Sequence, residues 1–301
     1  MADKPKLALY WASSCGGCEI AVLAIHEKIL DVAAAFDIVF WPCVMDFKES
    51  DVAAMEDGAI DVCLFNGAIR NDDNEHMARL LRRKSKVLVA YGSCAMEGCI
   101  PGLANFFDRE KMMQFIYHDS PSTDNPDGVE PQIKTEVSEG ELELPAFWNT
   151  VRTLDQVVPV AKWTQAAVEA ILSNQLPPPG SVIGMDVAVC DECPRQRNEK
   201  KITRFYRPQE IIPDPDLCLL EQGLFCAGIA TRAGCGALCP QVNMGCRGCY
   251  GPVEGVVDGG ARLISAIASV IDAETPEEID AVLDTLPDPA GFFYRFGLAK
   301  S

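Results

Sequence analysis

The sequence predicts an α/β fold: a doubly wound parallel sheet, followed by an irregular, cysteine-organised C-terminal domain that ends in helices. Three observations carry this reading. Four short apolar runs lie in the first 91 residues, alternating with helical or polar segments. Each run closes on a turn rich in Gly, Pro, Asn, Ser or Cys. Eight cysteines then fall between positions 190 and 249, where little regular structure is predicted.

The elements follow in order. Residues 6–12 (Lys-Leu-Ala-Leu-Tyr-Trp-Ala) read as a buried strand. Ser13-Ser-Cys15-Gly-Gly-Cys18 is a sharp turn, and residues 19–30 read as a helix. Residues 37–41 form a second strand ending at Pro42-Cys43, and residues 61–65 a third ending at Asn66-Gly67. A charged helix over 75–84 leads to a fourth strand, 86–91, which ends at Gly92-Ser-Cys94. Short apolar strands alternating with helices build a parallel sheet buried on both faces. Ligands of such sheets sit beyond the carboxyl ends of the strands. Cys15, Cys18, Cys43, Cys94 and Cys99 all follow strands, so they share that one edge. Cys63 lies inside the third strand and reads as core filling.

Residues 119–147 change character. They are polar, acidic and proline-rich, and read as a long surface excursion, either a partner-binding loop or solvated padding. Residues 150–173 look helical, and Pro177-Pro-Pro-Gly180 marks a boundary. The chain therefore divides into residues 1–176 and residues 181–301. In the tail, 260–271 reads as a helix. Thr275-Pro-Glu-Glu278 is a capping box with proline at the first helical position, opening another. The aromatic stretch 291–296 packs either on the body of the protein or on a partner.

Composition narrows the function. The net charge of −18 argues against nucleic acid, whose phosphates it would repel. No run of about 18 apolar residues is present, so no membrane span is expected. The N-terminus carries neither an apolar leader nor twin arginines, which points to the cytoplasm. In that reducing compartment, 14 cysteines imply metal binding or catalysis rather than disulfides. The three histidines, His26, His76 and His118, are not close in sequence to a cysteine pair, so mixed Cys/His zinc sites have little support.

Chain order sorts the later cysteines into two quartets: Cys190, Cys193, Cys218, Cys226, then Cys235, Cys239, Cys246, Cys249. Glycines beside the second quartet let the backbone turn tightly and aim amides at sulfur. Two structural zincs would explain residues 190–249. Iron–sulfur clusters would explain both quartets and the sheet-edge group with one chemistry. Three clusters in one chain suggest an electron wire. The chain shows no dinucleotide fingerprint, no P-loop and no Ser/His/Asp arrangement that can be placed, so the chemistry at the end of the wire belongs to a partner.

Cys15-Gly-Gly-Cys18-Glu, Gly92-Ser-Cys94, Cys190-x-x-Cys193, Cys218, Cys226 and the loop from Cys235 to Cys249 resemble the small subunit of nickel–iron hydrogenases. The likeness is greatest to the cytoplasmic F420-non-reducing (methyl-viologen-reducing) type. It spans nearly the whole chain, through Asp61-Val-Cys-Leu-Phe-Asn-Gly-Ala-Ile-Arg70, Ile100-Pro-Gly-Leu-Ala-Asn105, Thr153-Leu-Asp-Gln-Val157 and Cys246-Arg-Gly-Cys-Tyr-Gly-Pro252. The resemblance implies a flavodoxin-like N-terminal domain and three [4Fe-4S] clusters. Cys15, Cys18 and Cys94 would hold a proximal cluster facing a large subunit. Cys235, Cys239, Cys246 and Cys249 would hold a medial one, and Cys190, Cys193, Cys218 and Cys226 a distal one. Electrons would leave to an iron–sulfur or flavin partner of heterodisulfide-reductase type. Glu19 would either relay protons toward the large subunit or serve as an ordinary first-turn acid.

One departure stands out. The family's fourth proximal ligand lies in a Pro-Gly-Cys-Pro-Pro segment, but here Val157-Val-Pro-Val-Ala-Lys-Trp163 carries no cysteine and runs directly into the predicted helix. Cys99 stands where most relatives have glycine, and Cys43 where an aliphatic residue is usual. Cys99, or as an alternative Cys43, is expected to replace the missing ligand. Remodelling of this face also leaves open a complex whose large subunit has lost nickel–iron chemistry, so that no hydrogen is turned over.

Overall fold

Five parallel strands order the first unit. A computed structural model of the chain describes residues 4–163, 182–183, 185–198 and 201–300. It divides into two units, Met1–Ser181 and Val182–Ser301. The expected boundary residues 177–180 lie outside the described residues. In chain order, the first unit opens with β1 (Lys6–Trp11), α1 (Gly17–Leu23), α2 (Ile29–Ala35), β2 (Asp37–Phe40) and α3 (Glu49–Ala53). Next come β3 (Ile60–Asn66), β4 (Ile69–Asn71), α4 (Asp72–Lys84), β5 (Ser85–Tyr91), α5 (Ser93–Glu97), α6 (Cys99–Gly102) and α7 (Arg109–Gln114). It continues through β6 (Lys134–Val137), β7 (Gly140–Glu143), β8 (Phe147–Arg152) and β9 (Ala161–Trp163).

The parallel sheet runs β9-β5-β3-β1-β2. Counted by appearance among the parallel strands, this is the 2-1-3-4-5 order of a flavodoxin-like sheet, with its switch point between β1 and β3. The register brings the strand ends into line: Trp11 faces Asn66, Asn66 faces Tyr91, and Tyr91 faces Trp163. The loops after β1, β3 and β5 therefore leave from one row. Beneath them lies a core of Ala8, Phe40, Ile60, Phe65, Leu81 and Leu88. Cys63, fully buried in β3, belongs to that core.

Each helix can be traced to local chemistry. The Asn71 side chain accepts the Asn74 amide at 2.8 Å and starts α4 three residues before the predicted position 75. Acids fill its first turn and Arg82, Arg83 and Lys84 its last, matching the helix dipole. The helix predicted over 19–30 is broken instead. His26 takes a left-handed φ of 55°, and a short 3₁₀ turn leads into α2. The break re-aims the chain so that Val22 of α1 and Val32 of α2 both line the apolar hollow over Leu7, Leu9 and Leu64.

Of the helix predicted over 150–173, the described residues, to 163, are not α-helical. Residues 147–152 are β8, paired antiparallel with β4. Thr153 and Gln156 cap a single 3₁₀ turn, after which Val157, Val158 and Val160 flank Pro159. β-Branched residues around a proline resist a helix, and Ala161–Trp163 pairs with β5. The part of that reading over 164–173 lies outside the described residues. The excursion at 119–147 carries the hairpin β6–β7, solvent-exposed along its whole length.

In the second unit short helices frame long loops: α8 (Val189–Glu192), α9 (Leu238–Gln241), α10 (Gly259–Ala268), α11 (Pro276–Leu283) and α12 (Pro289–Phe293). The unit has an apolar core of its own, from Ile202, Phe205, Phe225, Leu263, Ile267 and Val282, with Cys193, Cys218, Cys226 and Cys235 packed against it. The capping box forms as predicted: Thr275 Oγ1 accepts the Glu278 amide at 3.3 Å, and Glu278 Oε2 accepts the Thr275 amide at 3.2 Å. The aromatic tail packs on the body. Phe292 and Phe293 lie 4.4 and 5.7 Å from the Phe225 ring, and Tyr294 donates to Asp258 at 3.3 Å. Among the described residues no helix is long and apolar enough to cross a membrane.

The turn after β3 depends on Gly67. Its φ is 109°, and a Cβ there would stand 2.7 Å from the Ala12 carbonyl carbon and 2.8 Å from the Ser13 nitrogen. Gly67→Ala is expected to destabilise the first unit by about 2–3 kcal/mol. Gly58→Ala, at φ 73° with open space around it, should cost only the left-handed strain, about 1–2 kcal/mol. Urea midpoints of the two variants check the difference.

Candidate metal centres

At the edge of the sheet, two loops bring four thiols together. After β1 the chain crosses to the end of β3: the Ala12 amide donates to the Asn66 carbonyl at 2.7 Å, and Ser13 and Ala68 exchange two backbone bonds. The Ser14 hydroxyl donates to Asn66 Oδ1 at 3.1 Å. This fixes the turn from which Cys15 and Cys18 project. After β5, Gly92 caps α5, which carries Cys94, and a left-handed Gly98 leads to Cys99. Gly92 is required by its neighbour as well as by its φ of 85°, since a Cβ would stand 2.2 Å from Cys18 Sγ. Cys94 hydrogen-bonds with Cys99, and that bond, burial and the charges of Cys99, Cys18 and Cys15 all raise its pKa. Burial, then Cys15, Glu19 and Cys99, push the Cys18 thiol up to about 11. Cys94 and Cys99 are buried, while Cys15 is exposed.

Two further residues bear on this edge. Cys43 is exposed and faces Glu19. Glu19 itself is buried in the first turn of α1, where Trp41 Nε1 donates to its Oε2 at 2.5 Å. Burial raises the Glu19 pKa, and the Trp41 and Asn66 side chains pull it back. His76 and His118 lie elsewhere, bonded to Glu49 and Glu130.

In the second unit, Cys190, Cys193, Cys218 and Cys226 line one pocket with Arg195 and Gly228. A Cβ at Gly228 would stand 3.5 Å from Cys190 Sγ and 3.6 Å from Cys226 Sγ, inside the cradle. The Gly228 and Cys246 amides both donate to Cys226 Sγ, the latter at 3.3 Å. In the other quartet, Cys235 and Cys249 lie within electrostatic reach of Tyr250, and Cys239 and Cys246 within that of Arg247. Burial pushes the Cys246 thiol up to about 12. Arg247 also feels Cys226, so one cation serves sulfurs of both quartets. Among the described residues, no three His, Cys, Asp or Glu side chains converge on a point that could hold a single metal ion.

Two residues that sequence reasoning missed hold these loops. Glu192 lies inside the Cys190–Cys193 turn, yet its two oxygens accept the Gly234 and Gly236 amides at 2.9 and 3.0 Å, on either side of Cys235. Arg195 is buried and bonded to backbone on both sides. Its Nε donates to the Pro240 carbonyl at 2.9 Å, its Nη1 to the Asp214 and Leu217 carbonyls at 2.7 and 2.8 Å, and its Nη2 to Asn243 Oδ1 at 2.5 Å. It thus joins the loop before Cys218 to the loop after Cys239. No local motif announces either role, because the partners lie far along the chain.

The chain has known relatives. Residues 15–165 match the model of the family described as NADH ubiquinone oxidoreductase, 20 Kd subunit. The chain is 41% identical to the iron–sulfur subunit of the F420-non-reducing hydrogenase of Archaeoglobus profundus, over 97% of this chain and 96% of that one. It is 36% identical to a subunit of the F420-non-reducing hydrogenase of Methanothermobacter marburgensis, over 99% and 96%. Among solved structures, a chain of the [NiFeSe] hydrogenase from Desulfovibrio vulgaris Hildenborough superposes with a TM-score of 0.49 at 17% identity, covering 85% of this chain and 96% of that one.

The fork geometry of Arg195 cannot be reproduced by an ammonium group. Arg195→Lys is expected to strip about 3 kcal/mol or more from the second unit, because buried carbonyls lose their donors. Thermal unfolding followed by circular dichroism measures the loss, and an unchanged midpoint would show that the forked bonds carry no stability.

Proposed function

From the premise that the chain belongs to the NADH ubiquinone oxidoreductase 20 kDa subunit family, as a hydrogenase small subunit, we propose that it is the electron-transfer subunit of an oxidoreductase complex. It carries three [4Fe-4S] clusters between a nickel–iron hydrogenase-type large subunit and an iron–sulfur or flavin partner of heterodisulfide-reductase type. The observation that carries the reading is the backbone-to-sulfur bond from Cys246 to Cys226, which joins two thiol quartets in one unit.

The donor sets suit such clusters. Cys235, Cys239, Cys246 and Cys249 would hold the medial one, and Cys190, Cys193, Cys218 and Cys226 the distal one. Cys15, Cys18 and Cys94 would hold the proximal one at the sheet edge, toward the large subunit. When bound, a cluster supplies a one-electron change of oxidation state. The rest is the work of the chain. Gly92 leaves room beside Cys18 where a Cβ would intrude. Amides aimed at Cys226 stabilise its ionised sulfur without adding a mobile charge. Arg247 lies within electrostatic reach of sulfurs of both quartets and would offset their negative charge. Electron exchange in a reducing compartment, the cytoplasm, accords with 14 thiols none of which forms a disulfide.

A second reading keeps the relay and removes hydrogen chemistry. It is motivated by residues 157–163, which carry no cysteine on the face where the family's proximal ligand is expected. Anaerobic iron, sulfide and nickel analysis of the native complex separates the two. About twelve irons in this subunit, with nickel in its partner, is the expected result for three four-iron clusters. The same iron without nickel, and a large subunit lacking its Cys-x-x-Cys pairs, would establish the second reading. Zinc in place of iron, with no visible absorption bleached by dithionite, would overturn both.

A further inference from the structure

The geometry points to Cys99 as the fourth thiolate of a four-iron cluster at the sheet edge, beside Cys15, Cys18 and Cys94. This rests on the relay reading above and deepens it.

The first observation is backbone strain. Cys99 takes a φ of 45°, directly after Gly98 at 87°. The left-handed region disfavours a residue with a Cβ by about 1–2 kcal/mol, and glycine is its usual occupant. A cysteine held there is strained where glycine would be comfortable. Such strain, when it persists, is found where the side chain has work to do.

The second observation is what the strained turn achieves. The Gly98 amide closes α5 on the Cys94 carbonyl at 3.1 Å, and α6 starts at once. The reversal folds Cys99 back onto Cys94, within hydrogen-bonding range of its sulfur and within electrostatic reach of Cys18. Cys94 and Cys99 are both buried, at 7% and 6% exposure. Two loops thus supply two thiols each, from β1 and from β5. β3 lies between them and ends in Asn66-Gly67, with no side chain on the glycine. Cys43, the other thiol at this edge, is exposed and faces Glu19 instead.

Ligation is an exchange with no change of oxidation state. Cys99 would hold, as a thiolate whose proton is released to solvent, the one iron that Cys15, Cys18 and Cys94 leave without a protein thiolate, displacing a water there. The ligand class is therefore a cubane iron–sulfur cluster.

The test uses the native complex, purified anaerobically with wild-type chain, Cys99→Gly and Cys43→Ser. Glycine suits the left-handed backbone, so Cys99→Gly should not harm the fold; circular dichroism verifies this. Iron and sulfide are counted, and electron paramagnetic resonance is recorded in oxidised and reduced samples. Cys99→Gly is expected to lose up to about a third of its iron, or to show a three-iron signal in the oxidised state, as a cluster short of one thiolate would. Cys43→Ser should match wild type. Unchanged iron and spectra in Cys99→Gly would overturn the proposal and leave the relay standing. A wild-type chain with only about eight irons would also overturn it and reduce the relay to the two quartets of the second unit, which account for those irons. A wild-type chain without iron would remove the relay reading together with it.

Discussion

The hydrogen bond from the Cys246 amide to the Cys226 sulfur closes the crossing on which the second unit turns. Its companion is the bond from the Ala227 amide to the Cys246 carbonyl at 2.9 Å. Together they lay two extended segments side by side, each carrying a cysteine of a different quartet. The crossing tolerates no side chain at residue 245, where a Cβ would stand 1.9 Å from the Phe225 carbonyl oxygen. Arg195 and Glu192 then extend the same tie outward, each reaching from one quartet's loops to the other's. Positive charge, amide donors and apolar packing surround thiols that burial alone would keep protonated.

The first unit meets a related need by different means. Its strands are ordinary and self-sufficient, buried on both faces. The residues that position the thiols lie in the row where the strands end. There the backbone adopts left-handed turns at Gly16, Gly67, Gly92, Gly98 and Cys99, and polar side chains such as Ser14 and Asn66 lock one loop to the next. The sheet supplies rigidity and the loops supply chemistry, as is usual at the carboxyl edge of a parallel sheet. Glu19, a carboxyl buried against Trp41 and one residue from Cys18, adds to the burial that raises the pKa of both Cys18 and Cys43.

The readings that failed did so for identifiable reasons. Residues 150–152 open a stretch read as helical, but the partner of Phe147–Arg152, Ile69–Asn71, lies about 80 residues upstream, and pairing with it makes them a strand. The helix expected at 19–30 is continuous in propensity. It is split because only a bend lets both halves cover the same apolar hollow over β1 and β3. The region from 190 to 255, read as cysteine-organised with little regular structure, also buries Ile202, Phe205, Leu220 and Phe225, apolar residues spread over a span with no periodicity to reveal them.

By itself the sequence determined the parallel strands β1, β2, β3 and β5, the edge that bears Cys15, Cys18, Cys94 and Cys99, the capping box at Thr275 and the family to which the chain belongs. These are local: an apolar run of the right length, a turn after it, a cysteine spacing, a capping pattern. Tertiary structure alone decided that Cys43 is exposed and Cys99 buried, that Cys99 bears backbone strain, and that Glu192 and Arg195 hold loops more than 40 residues away. Those facts depend on which distant segments are brought within 3 Å of one another, and a hydrogen bond that short is specified by the packing of the whole unit rather than by any stretch of chain.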